Sequence, residues 1–345
     1  MTDIALVLQG GAALGAFEAG VIDVILKEKE WNPVVVSGVS IGAVNAAVLC
    51  APLLAGDRDD AVDELRSLWK DIAAPLALPS FMAPRMFSPW WTPWGFWLNR
   101  SFGDSTPLKR TLQRHVDFTR LAPPAEVPER PGYGIDRRCI VTATNLVSGD
   151  LEAFDSGVMR LGPSHILASA ALPFAYPPHE AEGSSGQMGT YVDGGLYNNT
   201  PLKQVLDALE EGPIKRVDLL VVVNLFPRGN ELPSSLAEYS DRLFEIFFSN
   251  KTRLDAKHAE RVKELVGLWT RIDEELEPEL KETLREQFPG AFRYLDKEEA
   301  FGDVVQITHT APEPAGGPTD FSSSSIDRRW EQGARAARDA LVDYD

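Results

Sequence analysis

The sequence predicts an α/β fold: a mainly parallel sheet with helices on both faces. Three stretches predict it. Residues 4–49 run in the order strand, glycine loop, helix, strand, sharp turn, helix, and such a βαβα start needs parallel strands whose crossovers pack on the sheet. Val217 to Val223 is apolar at six of seven positions, as expected of a strand buried on both faces. The run from Val34 to Gly42 is β-branched, ends in Gly38-Val39-Ser40-Ile41-Gly42 and is followed by small helix-compatible residues. That is a strand-to-helix elbow.

In chain order, Ile4 to Leu8 reads as a buried strand, and Gln9 to Gly15 as a small-residue loop entering a helix to about Lys29, with Phe17, Val21, Val24 and Ile25 at helical spacing. Val34 to Val36 is the second strand. Residues 58–72 form an amphipathic helix carrying Leu65, Leu68 and Ile72. Residues 74–102 hold four of the eight tryptophans, Trp90, Trp91, Trp94 and Trp97, with prolines at 75, 79, 84, 89 and 93. Five prolines forbid a continuous helix. The stretch reads either as an irregular loop packed on the core or as an apolar lid whose indoles, candidate acyl-chain contacts, sit where apolar and aqueous phases meet.

Pro123 to Tyr133 reads as an exposed connection. Cys139 to Ala143 and Leu151 to Phe154 pair as strands through a turn at Asn145 to Asp150. Pro163 to Ala171 is a short helix halted by Pro173, and Gly183 to Gly189 a polar loop. Thr190 to Val192 rises into Asp193-Gly194-Gly195. Leu202 to Leu209 is helical, 236–288 largely helical and charged, Val304 to Ile307 a strand at the sheet edge, Ala311 to Thr319 a loop, and Ile326 to Val342 a helix. No internal repeat is visible.

The chain has 345 residues, 44% hydrophobic, enough for one large core with insertions. Its net charge of -17 argues against nucleic acid and against electrostatic docking on anionic membranes. The start of the sequence reads as a strand rather than a signal peptide, no stretch reaches the length of a membrane span, and Cys50 and Cys139 read as buried thiols in a reducing compartment. A cytoplasmic location is expected.

A serine nucleophile needs a base for its proton and donors for the oxyanion. In the elbow, Gly38 and Gly42 leave room for Ser40 to project alone above the sheet. The loop Gly10-Gly11-Ala12 lies between a strand and a helix N-terminus, where free amides and the helix dipole point the same way. The same loop also resembles a dinucleotide fingerprint. That fingerprint needs an acidic residue closing the second strand, whereas this strand runs through Ser37 into the elbow. Two bases are available. Asp193 with His258 or His309 gives a Ser-Asp-His triad, but Ser40 follows only the second strand, too early for the fold that carries that order. Asp193 alone gives a Ser-Asp dyad, its two following glycines letting the backbone turn away.

Gln9-Gly10-Gly11-Ala12-Ala13-Leu14-Gly15, Gly38-Val39-Ser40-Ile41-Gly42 and Asp193-Gly194-Gly195, in this order, closely resemble the three motifs of patatin-like phospholipases. Ala168 to Pro173 and Asn198-Asn199-Thr200-Pro201 are similar to that family too. The resemblance covers residues 4 to about 225 and implies a three-layer α/β/α sandwich with a C-terminal helical extension. It further implies a lipid acyl hydrolase without catalytic histidine, calcium or other cofactor, with Ser40 as nucleophile, Asp193 as base and the amides of Gly10, Gly11 and Ala12 as oxyanion hole. Two departures stand out. Ala12 replaces a loop glycine and narrows the approach, and Leu14 replaces a cation that would favour an anionic headgroup.

The expectation is therefore a catalytic domain at 1–230, with the aromatic insertion at 74–102, and a mainly helical region at 231–345 packed on it. The substrate is a fatty-acyl ester or phospholipid, met through transient membrane-surface contact, with no metal and no nucleic acid. A weakly active lipid- or protein-binding module of the same fold is the other class of reading.

Overall fold

The computed structural model describes residues 2–73, 104–126, 137–173, 175–226, 277–287, 301–311 and 317–344, and individually Leu232, Tyr239, Arg242, Ile246, Phe248 and Glu313. The tryptophan stretch 74–102 and His258 lie outside the described residues.

The first strand, β1 (Asp3–Leu8), leads through a loop into α1 (Gly15–Lys27). The second, β2 (Asn32–Val39), is buried at all eight positions. It runs through Ser40 into α2 (Ile41–Leu54), followed by α3 (Arg58–Ile72) and α4 (Thr106–His115). Then come β3 (Arg138–Asn145), β4 (Leu151–Asp155), α5 (Pro163–Ser169), β5 (His179–Glu182) and β6 (Met188–Asp193). The described chain continues with α6 (Leu202–Glu211), β7 (Val217–Asn224), α7 (Pro278–Gln287), β8 (Phe301–Thr308) and α8 (Ser323–Ala340).

Strand order is β5-β6-β3-β2-β1-β7-β8, with β4 on β3. Neighbours from β3 to β8 are parallel, while β4, β5 and β6 join antiparallel. β5 is absent from the sequence reading because His179-Glu180-Ala181-Glu182 has a single buried residue, Ala181. It is a strand by pairing with β6, not by burial.

Side chains alternate across the strands and so build two cores. Ile4, Leu6 and Leu8 face α1, α2 and α3, whereas Ala5 and Val7 face Val205, Ala208 and Leu209 of α6. Helices therefore cover both faces, giving the α/β/α arrangement. The sequence of α2 is apolar around its whole circumference up to Leu54, apart from Asn45, and all fourteen residues are buried.

The helix α8 lies along α1 at backbone contact. A Cβ on Gly20 would stand 2.0 Å from the Trp330 carbonyl oxygen, and one on Gly333 would stand 2.0 Å from that of Phe17. Reciprocal glycines let the two helices touch where any side chain would hold them apart. Cys50 and Cys139 are buried and free, and hydrogen bonding to Cys50, with burial, pushes the Cys139 thiol well up.

Candidate active site

The site lies at the C-terminal end of the parallel strands, where β2 gives way to α2. Ser40 occupies the turn at φ 56, ψ -121, a left-handed conformation that costs a non-glycine residue about 1–3 kcal/mol and is held by its surroundings. The flanking glycines are what let the turn close. A Cβ on Gly38 would stand 2.3 Å from the Gly42 carbonyl oxygen, and one on Gly42 would stand 2.5 Å from that of Leu8. Behind the serine, its carbonyl accepts from the amides of Ala43 and Val44. Its own amide donates to the buried hydroxyl of Ser169 on α5, 3.0 Å away.

The arrangement of strands brings Asp193 to it. On one edge of β3 runs β4, paired from Ile140 to Thr144. On the other edge, β2 pairs as far as Thr142, and β6 takes over at Ala143. Thus β6 meets β2 end to end, and Asp193 stops where the elbow begins. Its carboxylate is completely buried. Oδ1 accepts from the Gly195 amide at 2.8 Å, and Oδ2 has no hydrogen bond of good geometry. Burial raises its pKa to about 7, against the opposing pull of the Ser40 hydroxyl and the Gly195 amide. Ser40 is thus close enough to favour the ionised carboxylate, in a contact looser than a full hydrogen bond.

The loop after β1 is held by side chains from the segment following Asp193. Asn199 clasps Gly10 twice, accepting from its amide at 3.1 Å and donating to its carbonyl at 2.9 Å. Gln9 donates to Thr200 Oγ1 and Asn224 Oδ1 and accepts from the Leu225 amide. The Gly10 amide is therefore engaged, which corrects the expectation of three open amides. Among the described residues no hydrogen bond engages the amides of Gly11 and Ala12. Ala12 sits at φ 49, so the replaced loop glycine is one whose backbone favours glycine.

Three of the four described histidines are held elsewhere, and the fourth, His179, lies on β5 opposite Tyr191 of β6. His309, edge-on to Phe17 and 3.0 Å from Glu313 Oε1, follows β8. That strand is three steps from β2, about 14 Å at the usual spacing. Both ring nitrogens of His165 are bonded to backbone, at Gly162 and Glu182. His115 lies between Glu64 and Asp71. Residue chemistry alone gives Ser169 and Asn199 no role. Their only sequence signal was membership in the two runs that resemble the family.

Comparison with known proteins adds the family. A model described as patatin-like phospholipase matches residues 6–206, a span that contains the elbow, the loop and Asp193. The chain belongs to the patatin-like phospholipase family. A second model, described as patatin phospholipase, matches residues 246–345. The patatin-like sheet and its covering helices thus come with an assignment to lipid acyl hydrolases. The crystal structure of VipD from Legionella pneumophila matches 99% of this chain and 67% of its own, with 13% identity and a TM-score of 0.44. No curated protein matches the sequence. Among the described residues no helix is long and apolar enough to cross a membrane.

Proposed function

We propose that this patatin-like protein hydrolyses fatty-acyl esters of phospholipids or lysophospholipids through a Ser40-Asp193 dyad. Asp193 takes the Ser40 hydroxyl proton as Oγ attacks the ester carbonyl carbon. The tetrahedral oxyanion is held by the amides of Gly11 and Ala12 beside the N-terminal end of α1. Collapse expels the alcohol, which receives the proton from Asp193, and leaves an acyl-enzyme. Water then attacks, Asp193 takes its proton, and the fatty acid leaves from a restored serine.

The observation that carries this reading is the pairing of a strained serine with a buried carboxylate whose pKa of about 7 suits a base at neutral pH. The chain acts as one catalytic unit, α8 packed on α1 included. The test uses an alkyl fluorophosphonate and an acyl-ester assay. Stoichiometric labelling at Ser40 is expected, with Ser40→Ala and Asp193→Asn each losing roughly a thousandfold or more in kcat and His309→Ala keeping most of it. A folded wild-type protein that takes no label is instead a lipid- or protein-binding module, and a dead but folded His309→Ala points to a triad.

A further inference from the structure

The sheet, the oxyanion loop and the nucleophile helix meet at a carboxyl group the mechanism does not use. Glu18, in the first turn of α1, is 0% exposed. Asn45 of α2 donates Nδ2 to Glu18 Oε2 at 2.9 Å and to the Gly15 carbonyl at 3.0 Å, and its Oδ1 accepts from Trp69 Nε1 of α3 at 3.0 Å. The Gln9 amide, at the root of the loop, lies close enough to the Glu18 carboxyl to favour its ionised form. Asn45 follows Val44, whose amide donates to Ser40 O. One side chain therefore ties the strand end that carries the oxyanion amides to the helix that carries the nucleophile.

We propose that Glu18 is a positioning residue that fixes the oxyanion loop against the nucleophile helix. This rests on the reading of Gly11 and Ala12 as oxyanion donors.

Glu18 Oε1 is buried with no partner. One donor and a bare oxygen suit a neutral acid, whereas an ion buried here would lack most of its solvation. Burial raises its pKa well above the usual range, more than the bonds from Asn45 and Gln9 lower it. Among the described residues no countercharge is paired with it. Asp23 of α1 pairs with Lys27 and with Arg66 of α3, and Glu64 of α3 holds His115. Arg329 of α8, which reaches Ala13 O at 3.4 Å, is bound to Glu313 and to the carbonyls of Gly317 and Asp320. The residues of α2 are uncharged. Ionisation as the pH rises puts an uncompensated charge under the loop, and the loop shifts.

The experiment compares wild type, Glu18→Gln, Glu18→Ala and Ser40→Ala on a soluble acyl ester, with thermal midpoints and pH profiles taken from neutral into alkaline solution. Glu18→Gln, which keeps the acceptor and cannot ionise, stays within about twofold of wild-type kcat. Glu18→Ala loses roughly tenfold or more in kcat with KM nearly unchanged, as expected for a lost transition-state contact. Wild type shows a reversible fall in kcat as the pH rises that Glu18→Gln lacks. The role is overturned if folded Glu18→Ala keeps wild-type kcat while Ser40→Ala is inactive, or if the pH profiles of wild type and Glu18→Gln coincide. That second comparison decides the matter if Glu18→Ala does not fold. Turnover surviving in Ser40→Ala instead brings down the dyad reading, and this role with it.

Discussion

Val39 and Asp193 occupy successive places along one edge of β3, Val39 opposite Thr142 and Asp193 opposite Ala143. Two strands running in opposite directions thereby end against each other. The residue after one and the last residue of the other become neighbours without a loop to position either, which favours precision.

The buried carboxylate makes activity depend on pH. For a base with a pKa of about 7, kcat/KM rises tenfold per pH unit up to that value and then levels. Removing the Ser40 hydroxyl, one of the influences that lower the Asp193 pKa, raises it further in Ser40→Ala. Stability runs the other way. The folded pKa is above the unfolded value near 3.9, so the native state binds the extra proton and stability is lost as pH climbs from about 4 to about 7, by on the order of 4 kcal/mol. Asp193→Asn flattens that slope, as denaturant titrations across this range would record.

The elbow tolerates no methyl group at Gly38. With the Gly42 carbonyl oxygen 2.3 Å from the new Cβ, Gly38→Ala forces the turn open, destabilising the protein by roughly 3 kcal/mol or more. A circular-dichroism melt would register this, together with lost fluorophosphonate labelling.

Asn199 offers a milder cut. Asn199→Ala breaks both bonds to Gly10 and leaves a buried amide and carbonyl unpaired, at a cost of about 2–4 kcal/mol. In molecules that remain folded, kcat falls more than KM rises, because the released loop feeds the transition state. Steady-state kinetics below the melting point separate the two effects.

Ala12→Gly relieves a left-handed alanine at φ 49. The strain, about 1–2 kcal/mol, exceeds the entropy glycine regains on unfolding, so the variant gains up to about 1 kcal/mol. Urea midpoints report the gain, and a loss of stability would mean that the methyl group packs usefully.

Local patterns were enough to read much of this fold. The run of β-branched residues into Gly38-Val39-Ser40-Ile41-Gly42 marks the elbow because its sterics are local, and the apolar run at Val217 marks β7 because it is buried on both faces. The pairing of Ser40 with Asp193 was legible only as a motif, since the end-to-end meeting of β2 and β6 depends on registers fixed by β3. β5 escaped because its pattern carries little burial. The Asn199 clasp, which takes the Gly10 amide, and the bond from the Ser40 amide to Ser169 escaped because each joins residues more than a hundred positions apart. Glu18 escaped because an acidic residue in a helix ordinarily faces water, and nothing nearby in sequence announces its burial.

The glycine-to-glycine crossing of α1 and α8 also bears on when the fold around α1 is completed. When α1 leaves the ribosome, the surface that covers Phe17 and Gly20 has not yet been synthesised. That face of α1, the helix that follows the Gly10 to Ala12 loop, stays uncovered until residues of α8 emerge and dock. A nascent chain thus holds its serine and aspartate before the face of α1 behind its loop is covered.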